Sequence, residues 1–117
     1  MAILIPIVTS QLEKSREATD LANMRSAYAV ASTAVLDGDG DTGYSAGPVA
    51  MTQTSEGFQY NQDAKIGSVA LSTLTGAKKG VSYYVNVTKD GVVTITTAAT
   101  GTVVDPVNGK ASTTPAP

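Results

Sequence analysis

Residues 2–36, AILIPIVTSQLEKSREATDLANMRSAYAVASTAVL, decide the fold. No glycine interrupts them. From Thr9 onward, Ala18, Leu21, Met24, Tyr28, Ala31 and Val35 recur at three- and four-residue steps, which makes one apolar stripe on a helix, ready to cover a sheet. At 1.5 Å per residue such a helix spans about 50 Å, more than a single domain of 117 residues needs for its own core. The surplus length points to assembly before catalysis.

The surplus lies at the start. Ile3, Leu4, Ile5, Pro6, Ile7 and Val8, with Leu12 beyond them, have no evident partner inside the chain and are read as an assembly surface. The run is shorter than the roughly 20 apolar residues that cross a bilayer, and it lacks the charged start of a signal peptide. It reads as the cut end of a longer apolar segment, with a β-strand or a frayed terminus over Ile3 to Val8 as the plainer alternative. Pro6 has no amide hydrogen and would either sit in the first turn of a truncated helix or kink one that began further upstream. Gln11, Glu13, Lys14, Arg16, Glu17 and Asp20 then make the surface polar, with Glu13–Arg16 and Lys14–Glu17 at i,i+3 spacing. A solvated face is the first reading of these charges, and contact with neighbouring subunits the second.

Gly38 is placed to end the helix, and three glycines within residues 37–43 cannot propagate it. Residues 37–80 read as a loop region anchored by Val49-Ala50-Met51 and Phe58-Gln59-Tyr60; residues 42–63 hold one short strand at most, and 65–74 fit a short helix or a strand equally. The clearest β signal is Val81–Thr88 and Val92–Thr97 around Lys89-Asp90-Gly91, two β-branched runs flanking an Asp-Gly turn. Alternation puts Tyr83, Val85 and Val87 on one face, and Val93 and Ile95 on one face of the partner, both toward the helix stripe. Residues 101–104 add a third strand. The expected fold is therefore α+β: a long N-terminal helix on a small antiparallel sheet at 81–104, with a loop region between them, one domain over 1–110, and a Ser/Thr/Pro/Ala tail at 111–117.

Composition narrows the chemistry. Cysteine and histidine are absent, which removes disulfides, thiolate nucleophiles, the usual zinc sites and any histidine base. A net charge of −2 gives no overall attraction for a nucleic acid or an anionic membrane. Charged residues make up 15% of the chain, against about a quarter in ordinary domains, and the Thr/Ser/Gly/Ala texture suits an exported surface protein better than a cytosolic enzyme. No spacing singles out a carboxylate pair for acid/base work, and no glycine-rich phosphate loop follows a strand, so no enzyme activity and no cofactor are expected.

The apolar run Ala2-Ile3-Leu4-Ile5-Pro6-Ile7-Val8 followed by Gln11-Leu12-Glu13-Lys14-Ser15-Arg16-Glu17-Ala18 resembles the N-terminal helix of type IV pilins and pseudopilins. The direct likeness covers about the first 36 residues. It implies a pilin-like subunit, a long helix on an antiparallel sheet, polymerised as a homo-oligomer into a helical filament through bundled helices. The resemblance further implies a bacterial surface pilus or fimbrium serving adhesion, motility or DNA uptake, with subunits held in the inner or cytoplasmic membrane before assembly. The leader, the cleavage site, the methylated N-terminus and the membrane-anchoring residues would lie upstream of Met1. The cysteine pair that many pilins carry near the C-terminus is missing here. A pseudopilin of a type II secretion or competence system is the nearest alternative, and a small secreted binding module pairing through its helix is the alternative from another class.

Two constellations remain. Asp37, Asp39 and Asp41 alternate with Gly38 and Gly40, and carboxylates at every second position of a flexible loop can converge on calcium. Thr42 stands where an EF-hand needs glycine, and Pro48 where it needs glutamate, so a structural turn is the preferred reading. Separately, residues 37–63 are acidic through Asp37, Asp39, Asp41, Glu56 and Asp63, whereas Lys65, Lys78, Lys79, Lys89 and Lys110 outnumber Asp90 and Asp105 afterwards. That asymmetry suggests an acidic loop of one subunit facing a basic sheet edge of the next. Lys78, Lys79 and Lys89 beside Tyr83 and Tyr84 also make a weak DNA-contacting patch, relevant only to a DNA-uptake pilus. Asn86-Val87-Thr88 matches a glycosylation sequon inside a strand.

Overall fold

The computed structural model describes residues 4–37, 43–54, 56–60 and 62–106, with side chains from Gln11 onward. Helix α1 runs Leu4–Asp37. Leu, Met, Ala, Glu, Lys and Arg, all strong helix formers, fill nearly half of it, and Pro6 falls in the first turn, where backbone amides have no intrahelical acceptor in any case. Strands β1 (Tyr44–Ala50), β4 (Ser82–Val87), β5 (Val93–Thr96) and β6 (Thr102–Val104) form one sheet in the order β5-β4-β1-β6; β2 (Lys65–Ile66) and β3 (Val69–Ala70) pair as a separate small ribbon, followed by a 3-10 turn at Leu71–Thr73. The chain is α+β: one long N-terminal helix packed on a small, mostly antiparallel sheet.

The hairpin forms where the two β-branched runs place it, with Val85 opposite Ile95 and Val87 opposite Val93. Its turn is closed by Gly91 N–H to the Thr88 carbonyl at 2.9 Å and Thr88 N–H to the Val92 carbonyl at 3.0 Å. Ala46, Val85 and Ile95 form a row across three strands, and this face meets Leu21, Met24, Ala27 and Ala31 in the core. Tyr28 and Val35 are half-buried at its border. Tyr83 also lies on this inner face, where burial raises its phenol above the ordinary 10.0. The folded chain holds the phenol neutral, so the stability it contributes is complete below pH about 10 and is lost as pH rises through the raised value. Urea unfolding from pH 9 to 11 should show a decline in midpoint that is smaller in Tyr83→Phe.

Three differences from the sequence reading stand out. Tyr44–Ala50 is the one strand allowed within residues 42–63, but it runs seven residues and lies inside the main sheet, antiparallel to β4 and parallel to β6. Its Gly47-Pro48 pair reads as a breaker, and the pairing with β4 shifts register there, between Ala46 and Val49. The third strand, β6, does not extend the hairpin but pairs with β1 on the opposite edge. Ala18 is exposed, although the stripe includes it. Steps of three residues fall roughly 60° short of a full turn, so the path from Met24 through Leu21 to Ala18 rotates off the buried face.

The β5-to-β6 connection explains a second buried feature. The two edges lie about 14 Å apart at the usual strand spacing, and residues 97–101 can span little more, roughly 17 Å, so this link crosses the sheet directly. It crosses on the face away from α1. Ser45 and Asn86, paired across β1 and β4, point to that face and are buried under the link. Ser45 Oγ accepts from Thr100 N at 3.1 Å and Gly101 N at 2.9 Å; Asn86 Oδ1 accepts from Thr100 N at 3.3 Å, while its Nδ2 donates to Thr94 and Thr96 hydroxyls at 3.2 and 2.8 Å. The sequon asparagine is thus a structural tie, and its amide is not presented for glycosylation. Replacing Asn86 by Ala removes these partners and should cost about 2 kcal/mol in thermal unfolding, against less than about 0.5 kcal/mol for Lys89→Ala on the exposed turn.

Candidate functional site

The buried face of α1 changes chemistry along its length. From Leu21 to Val35 it is apolar and meets the sheet, whereas from Glu13 to Asp20 its inward positions are carboxylates. Glu13, Glu17 and Asp20 are buried, so they form neither a solvated face nor, within the chain described, a surface for neighbours. They face the chain's own segment at 52–60. Asp20 accepts from Thr52 N at 2.9 Å, Thr52 Oγ1 at 2.8 Å and Gln53 N at 3.0 Å. Glu13 accepts from Thr54 N at 3.1 Å and Thr54 Oγ1 at 2.8 Å, and Glu17 receives Gln59 N and Tyr60 N, one on each oxygen, at 2.8 and 2.9 Å.

Local sequence explains why acids stand there. The segment after β1 leaves the sheet, so its amides lack strand partners, and buried backbone donors require acceptors. Carboxylates spaced four and three residues apart on one helix face supply them. Gln53 fastens the same segment from the other side, donating from Nε2 to the Gly57 and Ala77 carbonyls at 2.7 and 3.0 Å. Met51 and Phe58 bury their side chains in the core at either end. Arg16 lies 3.7 Å from Glu13, and the Lys14 ammonium sits 5.1 Å from the Tyr60 ring centroid, which adds a cation–π contact at the border. These carboxylates are engaged in holding backbone, so the cluster is a structural clamp.

The other residues singled out from sequence fall as follows. Leu21, Met24, Ala31, Tyr83, Val85, Val87, Val93 and Ile95 are buried. Leu4, Ile5, Pro6, Ile7 and Val8 lie within α1, their side chains outside the described set; Leu12 is half exposed, at 50%. Ile3, Asp39 and Asp41 lie outside the described residues, while Asp37 is exposed at the end of α1. Among the described residues, no three His, Cys, Asp or Glu side chains gather as a metal site. Lys78 and Glu56, assigned from charge asymmetry to facing subunits, meet within one chain at 3.1 Å, both exposed. A surface pair of this kind contributes little stability.

Opposite the sheet, the outer face of α1 is lined by Ser15, Thr19, Ala22, Ser26, Ala29 and Thr33, all exposed, between Leu12 and the 85% exposed Leu36. Thr19 and Thr33 return their hydroxyls to the Ser15 and Ala29 carbonyls at 3.0 and 2.9 Å, leaving a short-side-chain surface. One open groove of about 460 Å³ runs between α1 and β1, lined by Asn23, Ser26, Pro48, Val49, Ala50 and Pro106. Another, of about 410 Å³, lies at Gln59, Tyr60, Gln62, Asp63 and Ala64. Neither groove sets a nucleophile beside a base. No described helix is long and apolar enough to cross a membrane. Comparison with protein families, curated proteins and solved structures returns no match.

Proposed function

We propose that this chain is the structural subunit of a type IV pilus, polymerising through α1 into a filament at the bacterial cell surface. One observation carries the reading. The helix begins at Leu4 and the clamp at Glu13, so the backbone of Leu4 to Leu12 runs about 14 Å along the helix before the clamp, and Gln11 and Leu12 at its inner end are exposed. That stretch is the most apolar part of the helix. A helix with so apolar a start, running up to the half-exposed Leu12, is suited to bundle with copies of itself, leaving the sheet and loops as the filament surface. The pilin-like N-terminal pattern supports the same reading.

The test is filament formation in cells that express the protein. Leu12→Glu, and separately Ile5→Glu with Ile7→Glu, should abolish filaments seen by electron microscopy. The purified 117-residue chain carrying the same changes should keep its circular dichroism spectrum and melting temperature. Filaments in normal number from all variants would overturn the proposal.

A further inference from the structure

We draw no further inference here: the strongest candidate, the exposed stripe of short side chains on the outer face of α1 between Leu12 and Leu36, is a surface that nothing in the structure shows to be covered by any partner.

Discussion

Asp20→Ala is expected to destabilise the chain by about 3 kcal/mol, and to lower its melting temperature by roughly 10 °C. The carboxylate is fully buried and receives two backbone amides and a hydroxyl from Thr52 and Gln53. Truncation leaves those amides without their acceptor in a site that water does not reach, and each orphaned donor costs about 1–3 kcal/mol. Asp20→Asn keeps one oxygen but turns an amide group toward a donor, so it should recover only part of the loss. Ala18→Asp, on the exposed flank of the same helix, supplies the control and should stay within about 0.5 kcal/mol. Urea unfolding at neutral pH measures all three. Equal midpoints for Asp20→Ala and the wild type would show that the clamp contributes nothing to stability.

Gly43→Ala should be at least as severe, at about 3 kcal/mol or more. Gly43 leads into β1 with φ of 80°, in the left-handed region that side chains with a Cβ avoid. A Cβ there would overlap the Val87 carbonyl oxygen and come within 2.7 Å of the Thr88 Cα, both backbone atoms at the end of β4. Neither can swing aside as a side chain can. The carbonyl of Gly43 also accepts the Thr102 amide at 3.1 Å, so a shift that relieves the overlap disturbs β6 as well. The expected readout is a lower thermal midpoint together with faster hydrogen exchange at β1 and β6 amides. Exchange at wild-type rates would show that the backbone accommodates the methyl group.

The two substitutions probe features of unequal visibility. Gly43 follows an Asp/Gly/Thr run and looks like any turn glycine, since the contact that makes it irreplaceable comes from β4, about 40 residues on. Asp20 looks like one more charge on a polar helix face. Its burial depends on a segment more than 30 residues away that lacks backbone partners of its own. A signal was nonetheless present: Glu13, Glu17 and Asp20 follow the same three- and four-residue spacing as Leu21, Met24 and Tyr28, so they continue the buried face better than Ala18 does. Reading the stripe by residue type hid that continuity; reading it by angle reveals it. β1 was hidden for another reason. Both its faces are covered, by α1 on one side and residues 97–101 on the other, so Ser45, Ala46 and Gly47 are buried in succession and the strand shows no alternation.

By itself, then, the amino-acid sequence determined the long helix and the hairpin. Each is written in a local period, near 3.6 residues for α1 and two for β4 and β5, and needs only neighbours in the chain to be read. Tertiary structure alone decided that β1 enters the sheet, that β6 pairs with it on the far edge, and that three carboxylates turn inward as acceptors. Those outcomes depend on which distant backbone groups are left without hydrogen-bond partners once the chain is compact, a quantity that no local pattern contains.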